Sequence, residues 1–175
     1  YEILKRLMDV VISIVLGVIS LVFYPFVYLA IKLDDGGPVF LVQKRIGENE
    51  KPIKIIKFRS MTSNDGGDYG KDGKSELKVT RVGKFLRNSR IDELPQLWNV
   101  ITGDLSLVGP RPELPKLAEY YNSEISFYNM RHLIKPGLSG WAQIYQENHP
   151  HHLKAVEETK EKLSYDLYYL KNRSF

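Results

Sequence analysis

Residues 10–31 are apolar at every position except Ser13, Gly17, Ser20, Tyr24, Pro25 and Tyr28. A run of this length meets the ~20 apolar residues that a helix needs to cross the hydrocarbon core of a bilayer. It exceeds the roughly 7–15-residue apolar stretch of a secretory signal, and no small-x-small cleavage pattern follows it. Pro25 lacks an N–H and its ring clashes with the preceding turn, so a helix here should bend. Lys5 and Arg6 precede the run, and Lys32, Lys44, Arg45, Lys51, Lys54, Lys57 and Arg59 follow it. The positive-inside rule therefore draws both flanks to the cytoplasmic side. The residues leave two topologies open: a re-entrant hairpin entering and leaving by one face, and a kinked single-pass helix, since membrane helices tolerate proline.

Past this run the periodicity shortens. Residues 39–43 and 53–58 are β-branched or aromatic stretches joined by a polar connection containing Gly47 and Asn49, which predicts a β-hairpin. Residues 64–74 are dense in Gly and Asp with no apolar period and read as a surface loop; no Glu stands where a calcium loop needs one. Val79, Val82 and Leu86 then alternate with Arg81, Lys84 and Arg87 as in a basic amphipathic helix. Such a helix suits a membrane surface and equally suits packing on a domain core. Leu94, Leu97, Trp98 and Ile101, and again Leu114, Leu117, Ala118 and Tyr121, fall at i, i+3, i+4, i+7 and predict two helices with those residues as core faces. After a turn region at residues 136–140, a last helix is expected over residues 154–170. The fold class is therefore α+β, mostly helical with a small hairpin, and no internal repeat is visible.

A chain of 175 residues suits one compact domain. The 43% hydrophobic content is ordinary but concentrated at one end. A net charge of +4 favours anionic partners: phospholipid headgroups, nucleotides or nucleic acid. The absence of cysteine excludes a disulfide framework and thiolate chemistry. The first residue is Tyr1 rather than methionine, so the sequence is expected to be part of a longer chain.

Chemistry-bearing residues are densest in Ser89-Arg90-Ile91-Asp92-Glu93-Leu94-Pro95-Gln96-Leu97 and in Gly103-Asp104-Leu105-Ser106-Leu107-Val108-Gly109-Pro110-Arg111-Pro112. Two readings compete. In the first, Ser89 and Asp92 form a capping box and Glu93 complements a helix N-terminus. In the second, adjacent carboxylates bind a divalent cation and supply a nucleophile, with Arg90 or Arg111 gripping phosphate oxygens. His149, His151 and His152 invite a metal reading, but a solvated loop accounts for them more simply.

These blocks, together with Gln43-Lys44-Arg45-Ile46-Gly47, Lys57-Phe58-Arg59-Ser60-Met61, Asp92 through Val100, Lys135-Pro136-Gly137-Leu138-Ser139-Gly140-Trp141-Ala142-Gln143 and Asp166-Leu167-Tyr168-Tyr169, resemble the bacterial sugar transferases, also called monotopic phosphoglycosyl transferases. The resemblance runs nearly end to end. It implies a re-entrant membrane helix over residues 1–33, broken near Pro25, and a catalytic domain over residues 34–175 on the cytoplasmic face of the bacterial inner membrane. It implies that Asp92 attacks the sugar-bearing phosphate of a UDP-sugar, that UMP departs, and that polyprenyl phosphate then takes the phosphosugar. Mg²⁺ is the implied cofactor, held by Asp92 and Glu93, which together form the catalytic pair. Lys57, Arg59, Arg90, Arg111, Gln143 and Asp166 are implied as substrate or phosphate partners. Arg111 between two prolines also suits a fixed turn, and the basic strand face also suits anionic lipid.

Two departures from the family pattern stand out. Many members follow the Gly-Trp-Ala-Gln block with Val-Asn-Gly-Arg, whereas this chain reads Ile144-Tyr145-Gln146-Glu147 and lacks that arginine. The chain also ends at Phe175, before the C-terminal amphipathic segment usual in the family. Residues 145–152 are accordingly expected to bear on sugar choice. The expected partners are a UDP-sugar, polyprenyl phosphate and membrane lipid, without nucleic acid, and a homo-oligomer is left open. The rival readings are a membrane-tethered basic module that binds anionic lipid or nucleic acid without catalysis, and a glycosyltransferase that moves sugar without its phosphate.

Overall fold

The computed structural model describes residues 1–62, 78–146 and 155–173. The expected loop at residues 64–74 and the three histidines at 149, 151 and 152 lie outside them. The apolar run folds as two helices, α1 (Glu2–Ser20) and α2 (Tyr24–Asp34), bent by 58° across a short break. The Ser20 hydroxyl donates to the Gly17 carbonyl at 2.7 Å and closes α1. Pro25 sits in the first turn of α2, where its missing N–H costs nothing. The bend thus precedes Pro25. No single helix among the described residues is long and apolar enough to cross a membrane, but the bent pair passes by length and composition.

After α2 the chain forms the expected hairpin, β1 (Phe40–Ile46) and β2 (Pro52–Phe58), antiparallel with Phe40 opposite Phe58 and Ile46 opposite Pro52. Asn49 and Glu50 supply the left-handed conformation of the connection, at φ 54° and 60°. The basic amphipathic helix is α3 (Arg81–Asn88), and the Thr80 hydroxyl accepts the Gly83 N–H at 2.9 Å to cap it. Leu86 faces inward with Val27, Ile31, Val39 and Phe58, and the apolar face of α3 packs on this cluster; Arg81, Lys84 and Arg87 stay exposed. The remaining elements are α4 (Gln96–Thr102), β3 (Ser106–Val108), α5 (Pro115–Glu124), β4 (Gly137–Ser139), α6 (Trp141–Tyr145) and α7 (Val156–Asn172). The architecture is mixed helix and strand with small sheets.

The predicted core face of α5 is buried as expected, with Leu114, Leu117, Ala118 and Tyr121 packed on Ile125, Tyr128 and Leu163. The predicted face of α4 needs correction. Pro95 restarts the helix after a separate turn, so its buried side is Gln96, Leu97, Asn99 and Val100, and Trp98 is 60% exposed. Asn99 stitches α4 to β2: its side chain accepts from Ile56 N at 3.1 Å and donates to the Lys54 carbonyl at 2.8 Å.

The three-residue strands β3 and β4 pair in parallel. They bring Gly109 and Gly137 so close that a Cβ on Gly137 would lie 2.1 Å from the Gly109 nitrogen. Polar residues fasten α1 to this region. Asp9 accepts from the Ser106 hydroxyl at 2.7 Å and from Leu107 N at 3.3 Å. Arg6 donates to the Val100 and Ile101 carbonyls at 2.6 and 2.9 Å, the open C-terminal end of α4, where a cation is favoured. Both ends of the bent pair therefore grip the rest of the chain, while Leu21, Val22 and Phe23 at the bend are exposed.

Candidate active site

α3 closes at Ser89, whose hydroxyl donates back to the Phe85 carbonyl at 2.8 Å and the Leu86 carbonyl at 3.2 Å. Ser89 therefore ends one helix and caps no other, which removes the capping-box reading of Ser89 and Asp92. Arg90 follows in the left-handed region at φ 58°, a conformation that costs a non-glycine residue free energy and clusters at functional sites. A 3-10 turn, Ile91–Glu93, then carries the two carboxylates, and Pro95 opens α4.

The two carboxylates occupy contrasting surroundings. Asp92 is 8% exposed, and its Oδ1 is buried with no hydrogen-bond partner among the described residues. Burial, then the neighbouring Glu93 charge, pushes its pKa up, against Lys57, Arg87 and Arg90. Glu93 sits among cations: Arg111 Nη2 at 2.5 Å, Arg90 Nη1 at 3.8 Å and Lys57 Nζ at 3.9 Å. Burial alone would raise Glu93, but Arg111 first, then Lys57 and Arg90, outweigh it and hold its pKa below the usual carboxylate value. Burial, reinforced by Arg45 and Arg111, lowers the Lys57 ammonium to about 7 despite Glu93 and Asp92. The cations thus favour the charged form of Glu93, while Asp92 is desolvated and has an oxygen without a partner among the described residues. Pairs whose surroundings drive their pKa values apart suit divided chemical roles.

The structure joins Asp92, Glu93, Lys57, Arg90 and Arg111 in this group. The other three named residues have contacts elsewhere. Arg59 pairs with Asp35 and donates to the Pro38 and Met61 carbonyls, fastening the end of the hairpin to the end of α2. Gln143 donates to the Leu138 carbonyl at 3.1 Å, and its Oε1 is buried without a partner among the described residues. Asp166 is 3% exposed and accepts from Arg131 Nε at 2.8 Å. Sequence reasoning missed Arg131, Glu113 and Lys162, which are buried with Asp166. It also missed Gln96, whose Nε2 is buried without a partner among the described residues. Among the described residues no three His, Cys, Asp or Glu side chains gather to cage a metal ion.

Residues 1–175 match the family described as "Bacterial sugar transferase". The chain belongs to that family. It is 41% identical to the UDP-N-acetylgalactosamine-undecaprenyl-phosphate N-acetylgalactosaminephosphotransferase of Aeromonas hydrophila, over 99% of this chain and 40% of that protein. It is 39% identical to the UDP-glucose:undecaprenyl-phosphate glucose-1-phosphate transferase of Klebsiella pneumoniae, over 97% of this chain and 36% of that one. A third relative, the exopolysaccharide production protein PSS of Rhizobium leguminosarum, is 37% identical over 98% of this chain and 88% of its own length. The chain therefore spans about two fifths of the first two relatives. Their names put both on one reaction type with different sugars.

Proposed function

We propose that this sugar transferase moves a sugar 1-phosphate from a UDP-sugar to polyprenyl phosphate, releasing UMP, through a phosphosugar carried on Asp92. The observation that carries the reading is the buried Asp92 Oδ1, without a partner among the described residues, beside a carboxylate ringed by three cations. Family membership and the relatives' names support the reaction type.

In the first step the Asp92 carboxylate oxygen bonds to the β-phosphorus of the donor. The bond from that phosphorus to the bridging oxygen breaks, and UMP leaves with the electron pair. In the second step a polyprenyl phosphate oxygen attacks the same phosphorus, the bond to Asp92 breaks, and the free carboxylate returns. Two steps spare the site from holding two anionic phosphates against each other at once. Lys57, Arg90 and Arg111 stabilise the charge on the transferring group, and Glu93 holds them in place. Mg²⁺ fits this donor set, because it binds through one or two carboxylates plus substrate phosphates rather than an all-protein cage. Asp92 and Glu93 would hold it, and it would supply further neutralisation of the diphosphate.

The same reading places α1 and α2 in the cytoplasmic face of a bacterial inner membrane as a re-entrant hairpin. Support comes from the exposed apolar bend and from the contacts that tie both ends of the pair to the rest of the chain. With no native cysteine, Glu2→Cys and Asp34→Cys are clean reporters. An impermeant thiol reagent is expected to label both from the cytoplasmic side only; labelling from opposite faces contradicts the hairpin.

The reaction itself is tested with a panel of UDP-sugars, polyprenyl phosphate and the purified protein. One UDP-sugar or a few are expected to yield UMP in equal amount to lipid-linked product. Release of UDP instead would mean that sugar moves without its phosphate, and absence of any nucleotide release across the panel would favour a non-catalytic lipid-binding module.

A further inference from the structure

The segment that carries Arg111 has an unusual means of support. Pro110 and Pro112 flank the arginine, and neither has an N–H to donate, so this stretch is anchored chiefly through its carbonyls. Four consecutive carbonyls each accept from a different donor. Pro110 O accepts from Gly137 N at 2.9 Å, and Glu113 O from Ile46 N at 2.9 Å. Between them, Arg111 O accepts from Arg131 Nη2 at 2.9 Å, and Pro112 O from Arg45 Nη1 at 3.3 Å.

The Arg131 side chain is 1% exposed, and its guanidinium is divided among Asp166, the Arg111 carbonyl and the Tyr128 hydroxyl, the last at 3.3 Å from Nη1. One edge donates from Nε to Asp166 Oδ2 on α7 at 2.8 Å, and Nη2 holds the Arg111 carbonyl. Glu113 Oε2 lies 4.0 Å from Arg131 Nη1 and 2.5 Å from Lys162 Nζ, also on α7. Burial would raise Glu113, but Lys162 and then Arg131 bring it down to about 2, so this carboxylate stays charged. A buried, fully paired group of this kind is a weak source of stability, because desolvation offsets the attraction. Its geometric consequence is specific: it fixes the backbone of Arg111, whose side chain makes the shortest of the three ion pairs to Glu93.

We propose that Arg131 and Asp166 are positioning residues, which set Arg111 against Glu93: Asp166 on α7 orients Arg131, whose guanidinium holds the Arg111 carbonyl. The inference rests on the phosphosugar-transfer reading of the site for its kinetic consequence, but its structural part stands apart from it. Asp166 then acts through Arg131 and has no direct contact with substrate, which accounts for its burial away from the carboxylate pair.

The test uses Arg131→Met/Asp166→Leu, which exchanges the ion pair for apolar side chains of similar volume and removes the donor to Arg111 O. Such exchanges preserve folding in other buried pairs. Arg131→Lys is made alongside it; it keeps the charge for Asp166 but lacks the planar fork needed to reach both partners. Both are expected to lose about 100-fold in kcat with KM for the UDP-sugar little changed, the scale of a misplacement of about 1 Å at a catalytic group. Hydrogen exchange, which needs no turnover, is expected to rise in the peptide spanning residues 105–114 and to stay unchanged in α5. If either folded variant retains the parental kcat and the parental exchange in that peptide, the pair is structural only and the proposal is overturned. A parent protein that releases no UMP from any UDP-sugar overturns the reaction instead, and the exchange result still decides the positioning.

Discussion

Asp92→Asn is expected to abolish both UMP release and lipid-linked product, a loss of at least about 10⁴-fold, while the protein remains folded. The amide keeps the size and the burial of the carboxyl but removes the nucleophilic charge, and nothing else in the group replaces it. Glu93 is adjacent but is held by Arg111, Lys57 and Arg90. Stability should move the other way. The Asp92 pKa is raised in the folded protein by burial and by Glu93. Its protonated form therefore favours folding at low pH, and that contribution is lost as pH rises from the ordinary carboxylate range through the raised value. At neutral pH the ionised group opposes folding, so the neutral amide should melt at the same temperature as the parent or higher. Thermal melting in detergent beside a UMP-release assay checks both halves. Product formed at the parental rate would show that Asp92 is not the nucleophile.

Arg111→Met is expected to lower kcat/KM by about 10³-fold, the scale of losing one preorganised charged group at a reacting phosphate. It leaves Glu93, whose side chain is 13% exposed, without its shortest partner, at 2.5 Å. Arg90 and Lys57 remain at 3.8 and 3.9 Å, so the stability cost should be about 2 kcal/mol, below that of an isolated buried charge. Arg111→Lys keeps the charge but not the two-pronged contact, and should recover stability more fully than rate. Kinetics and melting on the two variants separate these effects. A methionine variant with parental kcat/KM would place the transferring phosphate elsewhere.

Elements with a sustained period were legible before the structure. The hairpin and α5 are half-buried or one-sided, so alternation and the i, i+3, i+4 spacing report them directly. The phase of α4 is not legible, because Pro95 interrupts the apolar spacing that runs from Leu94 to Ile101 in the sequence. The parallel pair β3 and β4 is three residues long on each side, too short to carry a period, and its close contact depends on Gly109 and Gly137, which are distant in sequence. Polar locks escaped for the same reason. Asp9 reads as the charged edge of an apolar run, yet it binds Ser106 and Leu107.

At the site, the carboxylate pair and Arg111 stood in compact motifs, and family resemblance gave them roles. Lys57 and Arg59 have the same strand parity, but β2 ends at Phe58, so Arg59 leaves the sheet and turns to Asp35. Arg131 sits in a 3-10 stretch without amphipathic spacing, and its partners come from α7 and from the Arg111 segment. Such a cluster exists only once the chain has folded.

The most direct measurement of the account is incubation of the protein with a sugar-labelled UDP-sugar in the absence of polyprenyl phosphate, followed by rapid quenching and mass spectrometry of peptides. Release of UMP up to one equivalent is expected, with a phosphosugar adduct on the peptide containing residue 92 that is discharged when polyprenyl phosphate is added. No UMP without lipid, or an adduct that maps to another residue, would contradict it.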